Sequence, residues 1–171
     1  AAGFDGVEIH SANGYLLDEF LRDGANKRTG PYGGPVANRA RLMLEVVEAA
    51  IGVWGGDRVG LRISPLNSYN SMKDSDPVGL TRFLAQELNR FNLAYLHIMR
   101  ADFFGIQSGP VTETARAEFK NVLIGNMGYT PAEAAAAICE NLVDAIAFGH
   151  HYISNPNLVQ KIREGRPLTE P

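Results

Sequence analysis

Short apolar segments alternate with longer segments of helical periodicity from one end of the chain to the other. Five apolar runs have the length and flanking residues of β-strands, at residues 6–9, 59–63, 94–98, 122–124 and 145–148. Hydrophobic residues spaced three and four apart predict helices over 38–53, 77–91, 132–142 and 156–164. Thr130 and Pro131 suit the start of the third helix, and Gly165 suits the end of the fourth. The sequence therefore predicts strands that alternate with helices.

This alternation predicts an α/β fold in which helical crossovers join parallel strands, and the apolar strands predict a sheet buried on both faces. A doubly wound dinucleotide fold should carry G-x-G-x-x-G after its first strand, and no such run occurs. A (β/α)8 TIM barrel needs no such motif and gathers functional residues after the C-terminal ends of its strands, where this chain has polar and glycine-rich clusters. No repeat or linker interrupts residues 1–171, so we expect a single unit.

Composition narrows the classes of partner. The 171 residues include 16 Lys and Arg against 19 Asp and Glu, a formal charge of -3, so the chain lacks the basic surplus that binds nucleic acid or an anionic membrane. Cys139 is the single cysteine, and His150 and His151 have no carboxylate or cysteine nearby in sequence, so we expect no metal site. No apolar stretch of about 18 residues is present to span a bilayer. These features predict a cytoplasmic protein.

The first polar cluster follows the first predicted strand and contains His10, Asn13 and Tyr15. The imidazole and the carboxamide can both donate hydrogen bonds to one oxygen, which would stabilise a carbonyl as it becomes an enolate. A tyrosine, whose ordinary pKa is about 10, is protonated at neutral pH and can act as a general acid. The alternative is structural: His10 and Asn13 satisfy backbone groups in a turn, and Tyr15 packs on neighbouring hydrophobic residues.

A second feature is Arg62, a guanidinium inside an apolar strand. A buried cation needs a partner. Here the partner is either an inward carboxylate such as Glu8 or an electron-rich cofactor ring, since an arginine beside a flavin favours the reduced, anionic ring. We interpret His97, in the next predicted strand, as an inward-facing core residue and not as a ligand.

Two glycine-containing loops, residues 124–131 and 148–156, follow the last two predicted strands and lead toward helices. Small residues let backbone N–H groups approach an anion at a helix N-terminus. The phosphate site of (β/α)8 barrels is built from the loops after strands seven and eight. As the final loops of a βα series, these two segments predict a phosphate-binding site.

Several long and specific runs of sequence carry a family resemblance. They cover residues 4–21, 26–29, 32–34, 38–39, 61–65, 125–130 and 149–156. In these runs, and in their order, the chain strongly resembles the Old Yellow Enzyme family of FMN-dependent ene-reductases. The resemblance covers essentially the whole chain and implies a (β/α)8 barrel with FMN at its C-terminal mouth, of which this chain would supply strands four to eight.

The resemblance also implies a reaction and a role for each matching residue. In this family NADPH or NADH gives a hydride to FMN, which passes a hydride to the β-carbon of an electron-poor alkene such as an α,β-unsaturated carbonyl. By carry-over, His10 and Asn13 would bind the carbonyl or nitro oxygen of the substrate, and Tyr15 would protonate its α-carbon. Arg62 would lie against the flavin. The FMN phosphate would be held by residues of the two glycine loops, namely Asn126, Met127, Gly128, Gly149 and His150.

Two departures from the family pattern bear on these roles. The residue after Gly149 is commonly an arginine that pairs with the phosphate, whereas here it is His150, which offers a single donor when neutral and so predicts weaker, more pH-sensitive FMN retention. The resemblance also begins at the fourth strand of the barrel. We therefore expect either an ene-reductase of which this is the C-terminal part, or a non-catalytic half-barrel that self-associates or needs the missing N-terminal portion.

Overall fold

A computed structural model describes residues 2–171 and contains one five-stranded parallel sheet. Its strands are β1 Val7–Ser11, β2 Val59–Ile63, β3 Tyr95–Met99, β4 Val122–Asn126 and β5 Ala145–Ala147. Each strand pairs with the next one along the chain. This sequential order is that of consecutive strands in a (β/α)8 barrel, whereas a doubly wound sheet reverses its order at a switch point. The structure thus confirms all five predicted strands and a partial barrel.

Six α-helices connect or follow these strands. They are α1 Leu16–Leu21, α2 Val36–Trp54, α3 Pro77–Leu88, α4 Val111–Glu118, α5 Pro131–Cys139 and α6 Leu158–Arg163. The sequence predicts α2, α3, α5 and α6 but misses the other two. Helix α1 has only six residues, too few to show a helical period. Helix α4 contains three β-branched residues among eight, which lowers its helix propensity.

The two faces of the sheet differ in character. Alternate residues of a strand lie on opposite faces. The outer face packs against the helices through residues that are at most 1% exposed, including Val59, Leu61, Ile63, Leu96, Ile98 and Leu123. The inner face carries Glu8, His10, Arg62, His97 and Asn126, and the first two are exposed. The prediction of a sheet buried on both faces is therefore confirmed for the outer face, whereas on the inner face His97 and Met99 are buried but Glu8 and His10 of β1 are exposed.

Asp102 joins the loops that follow β2 and β3. Its carboxylate accepts hydrogen bonds from the backbone N–H (2.7 Å) and hydroxyl (2.8 Å) of Ser68. It also accepts from the backbone N–H groups of Phe104 (3.2 Å), Ile106 (2.6 Å) and Gln107 (3.1 Å). Burial opposes ionisation, but the hydrogen bonds outweigh it and lower the pKa of Asp102 to about 2. The carboxylate therefore fixes both loops relative to each other.

Two glycines four residues apart test the close approach of the turn that follows α2 to the backbone that precedes β3. A Cβ at Gly56 would lie 2.5 Å from the carbonyl oxygen of Phe91 and 2.8 Å from that of Asn92, whereas a Cβ at Gly52, within α2, would meet nothing within 4 Å. We expect Gly56→Ala to lower the free energy of unfolding by about 1–3 kcal/mol. Gly52→Ala should raise it by about 0.5–1 kcal/mol. Urea denaturation measures both, and a stabilising Gly56→Ala would contradict the close backbone approach.

Acid sensitivity tests the role of Asp102. Its folded-state pKa, about 2, lies below the unfolded value of about 3.9. The stability it contributes is therefore present above about pH 4 and is lost as the pH falls toward 2. Asp102→Asn should cost about 2 kcal/mol at pH 7, and the difference from the parent should shrink between pH 4 and pH 2. Denaturation at stepped pH, with the exposed Asp5→Asn as control, measures it, and a constant difference would refute this role.

Candidate functional site

The turn after β1 brings two of the three predicted substrate residues to one cavity. Asn13 and Gly14 adopt positive φ angles of 59° and 72°, and Tyr15 stands directly before α1. Asn13 and Tyr15 line a cavity of about 240 Å³ together with Asn67, Tyr69, Met99 and Phe103. His10, on β1, reaches this group through its ring, whose centroid lies 5.4 Å from that of Tyr15. The three side chains therefore form one cluster at the C-terminal edge of the sheet.

Asn13 is held by three hydrogen bonds that leave its amide NH₂ free. Its backbone N–H donates to Ser64 Oγ (2.8 Å), and its carbonyl oxygen accepts from Asn70 Nδ2 (3.0 Å). Its Oδ1 accepts from Nδ2 of Asn67 (2.9 Å), a residue only 2% exposed. The turn uses the backbone and Oδ1 of Asn13, but among residues 2–171 its NH₂ has no acceptor. Asn13 thus serves the turn and keeps a donor for a ligand.

Asn67 is a residue that the sequence does not reveal as part of the cluster. It lies in the loop after β2, and its Oδ1 accepts hydrogen bonds from the backbone N–H groups of Tyr69 (3.4 Å) and Phe103 (3.3 Å). These contacts fix the orientation of the amide that binds Asn13. No local pattern signals this role, because the partner of Asn67 is 54 residues away along the chain.

The protonation state of His10 follows from its surroundings. Partial burial and the positive charge of Arg62 both lower the pKa of this imidazole, and Glu8 opposes them only in part. A lowered pKa keeps the ring neutral at neutral pH, so that His10 carries one N–H donor. His10 therefore suits hydrogen bonding to an oxygen better than ion pairing.

Arg62 hydrogen-bonds to Asn126 and not to Glu8, the carboxylate that the sequence offers as a partner. Its Nη2 donates to Asn126 Oδ1 (3.0 Å), and the Nδ2 of Asn126 donates to the carbonyl of Ala147 (2.7 Å). Glu8 instead contacts His97, with 3.0 Å between Oε2 and Nδ1. This pairing lowers the pKa of Glu8 and confirms His97 as a buried, inward-facing core residue. Arg62 Nε is buried without a hydrogen-bond partner.

All six residues assigned to the cofactor from the family resemblance line one cavity of about 530 Å³. These residues are Arg62, Asn126, Met127, Gly128, Gly149 and His150. Phe103 lines this cavity and also the one beside Asn13 and Tyr15. The two cavities therefore meet at Phe103, with a guanidinium and two glycine loops on one side and the amide and phenol on the other.

The described residues contain neither a metal-binding cluster nor a membrane-spanning helix. Within the described residues, no three His, Cys, Asp or Glu side chains are grouped so as to hold a metal ion. The helices of the described chain include none with the length and apolar character needed to cross a bilayer. Cys139 is exposed and unpaired.

Comparison with known sequences identifies relatives along the whole chain. Residues 1–169 match the NADH:flavin oxidoreductase / NADH oxidase family. Over 171 residues the chain is 47% identical to a Leishmania infantum protein named a probable flavin mononucleotide-dependent alkene reductase. It is 35% identical over 173 residues to 12-oxophytodienoate reductase 2 of Arabidopsis thaliana. These matches cover 100% and 99% of this chain but 47% and 46% of the relatives, so the chain spans about half the length of the curated relatives it matches.

Two solved structures of flavin-dependent reductases have the same fold as this chain over nearly its whole length. The old yellow enzyme from Trypanosoma cruzi superposes with a TM-score of 0.97 at 46% identity, over 99% of this chain and 46% of that one. Morphinone reductase superposes with a TM-score of 0.93 at 43% identity, again over 99% of this chain and 46% of that one. The sequential parallel sheet and the match over residues 1–169 together establish that the chain belongs to the Old Yellow Enzyme family of FMN-dependent NADH:flavin oxidoreductases.

Proposed function

We propose that this chain supplies the substrate-binding and phosphate-binding part of an ene-reductase that reduces activated alkenes, with FMN as cofactor and NADPH or NADH as reductant. The observation that carries the proposal is the meeting, at Phe103, of the cavity lined by the six assigned cofactor residues and the cavity of Asn13 and Tyr15. Substrates would be small electron-poor alkenes such as α,β-unsaturated carbonyls. The lone Cys139, which cannot form an internal disulfide, favours a cytoplasmic setting.

The residues of the larger cavity fit FMN. Arg62 Nε is buried without a partner, and the backbone N–H groups of Gly128 and Tyr129 donate no hydrogen bond within residues 2–171. No atom lies within 4 Å of the position that a Cβ would take at Gly149. A guanidinium and free amides are the donors that an anionic, oxygen-rich ligand requires. FMN, when bound, would supply hydride transfer from the nicotinamide to the β-carbon of the alkene.

Asn13 and Tyr15 of the smaller cavity, with His10 beside them, would bind and protonate the substrate. Neutral His10 and the free NH₂ of Asn13 would donate hydrogen bonds to the carbonyl or nitro oxygen, which stabilises the negative charge that develops there. Tyr15 would transfer its phenolic proton to the α-carbon. Arg62, oriented by Asn126, would provide a fixed positive charge beside the ring system. His150 would contribute one donor to the phosphate.

A second candidate is a non-catalytic half-barrel that binds FMN only with a partner chain. In the described residues β1 and β5 each pair along one edge only. The exposed Glu8 and His10 on the inner face also leave polar groups that further strands would cover. Unpaired edges favour association with another chain. The two unpaired strand edges and these exposed polar groups support the candidate.

A flavin titration tests the proposed function and separates the two candidates. The purified chain should quench FMN fluorescence, NADPH should bleach the bound flavin under nitrogen, and 2-cyclohexenone should restore its colour. Bleaching only after adding the N-terminal portion of the Trypanosoma cruzi relative would favour the half-barrel. Absence of bleaching under both conditions would refute the proposal. In the same titration His150→Arg should bind FMN more tightly, because the charged, planar fork of a guanidinium replaces an imidazole, and unchanged affinity would exclude a phosphate contact.

Replacing Tyr15 tests its role as the proton donor. Tyr15→Phe should slow reduction of 2-cyclohexenone by about 10²–10⁴-fold, because general acid catalysis is lost. Reduction of the flavin by NADPH should keep its rate, since that half-reaction needs no proton from Tyr15. Stopped-flow absorbance separates the two half-reactions, and Tyr32→Phe, at a half-buried tyrosine that donates to Glu45 and lines neither cavity, is the control. Equal loss in both half-reactions would argue against the acid role.

A further inference from the structure

Arg100 lies directly after β3 and contacts the glycine loop at residues 127–129 from the side opposite the proposed cofactor cavity. We propose that Arg100 is a positioning residue that turns two backbone amides of this loop toward the phosphate of FMN. The inference rests on the proposed function, because it assigns FMN to that cavity. Arg100 itself does not line the cavity. It lines a separate cleft of about 310 Å³ near α4 and α5.

The guanidinium of Arg100 binds two consecutive carbonyl groups. Its Nε donates to the carbonyl oxygen of Met127 (2.9 Å), and its Nη2 donates to that of Gly128 (2.6 Å). Both residues have left-handed backbones, with φ angles of 83° and 67°. At Met127, which has a side chain, this conformation costs free energy and persists only where other contacts hold it. The two hydrogen bonds of Arg100 are contacts of that kind.

The geometry of the peptide group determines where the amides of the loop point. In a trans peptide the C=O and the following N–H point in opposite directions. The carbonyls of Met127 and Gly128 face Arg100, so the N–H groups of Gly128 and Tyr129 face the other side of the loop. Gly128 and Tyr129 line the cavity on that side, and within residues 2–171 their N–H groups have no acceptor. Two free donors are therefore aimed at an anion site.

The contacts that hold Arg100 also remove it as a direct phosphate ligand. Its guanidinium carbon lies 3.7 Å from the centroid of the Tyr129 ring, a cation–π contact. Its Nη2 also contacts Glu133 Oε2 (3.2 Å), which neutralises its charge. The same carboxylate accepts from the backbone N–H of Thr130 and completes the cap at the start of α5. Arg100 thus joins the loop to the helix and acts on the phosphate through the loop.

Comparison of FMN with riboflavin, which lacks the phosphate, tests the proposal by equilibrium binding. The full chain, with the N-terminal portion of the relative where FMN binding requires it, is titrated with each flavin and the fluorescence quenching is followed. Arg100→Met should weaken FMN binding about ten-fold, because the loop amides lose their fixed direction. Riboflavin binding should change less than about two-fold. The control is Arg90→Met, because Arg90 likewise stacks on an aromatic ring and pairs with a glutamate but lies elsewhere.

The outcomes distinguish a failure of this inference from a failure of the proposed function. Equal weakening of both flavins, or of neither, by Arg100→Met would overturn the role of Arg100 while FMN binding by the parent stands. A parent protein that binds FMN no more tightly than riboflavin would overturn the phosphate site and the inference together. Should Arg100→Met unfold, as circular dichroism would show, Arg100→Lys decides, since it keeps the charge but replaces the rigid fork, whose Nε and Nη2 each meet one carbonyl, with a single nitrogen on a flexible stem. FMN-selective weakening supports the proposal, and parent-like affinity overturns it.

Discussion

The parallel register of the sheet is the constraint on which the site depends. His10, Arg62 and His97 lie side by side on three adjacent strands, and Met99 lies opposite Asn126 on the next pair. Shifting one strand by a single residue would exchange its polar side chains for apolar ones on the inner face. The buried apolar face against the helices therefore fixes the register, and the register in turn aligns the polar groups of the inner face. Packing on one side of the sheet thus specifies chemistry on the other.

The segment after β3 organises the loops on both sides of it by opposite means. Arg100 binds backbone carbonyls of the loop after β4, whereas Asp102 binds backbone N–H groups of its own loop and of the loop after β2. One side chain has only donors and the other has only acceptors, so each suits the backbone groups that it meets. Between them these two residues fix the surroundings of Phe103, where the two cavities meet.

The sequence predicts best those features that depend on residues close together along the chain. The five strands, four of the helices and the cap formed by Thr130 could be predicted from apolar spacing and turn chemistry, whereas the family resemblance predicted that the barrel is partial. The family resemblance supplied site residues that the structure gathers around two adjoining cavities. The hydrogen bonds between site residues that are far apart in sequence could not be predicted. Asn126 is 64 residues from Arg62, and its role as the partner becomes visible only when the strands are assembled.

Arg100 contacts the loop at residues 127–129 from the side that faces α5, and this has a consequence for how the sequence of such a protein can vary. Arg100 and Glu133, which line the outer cleft, would set the orientation of loop amides whose free hydrogens face the other cavity. Substitutions in the outer layer can therefore retune cofactor retention while every cofactor-facing side chain stays the same. Two homologues with identical cavity walls need not hold their flavin equally well, and directed evolution for affinity has a second, outward-facing set of positions on which to act.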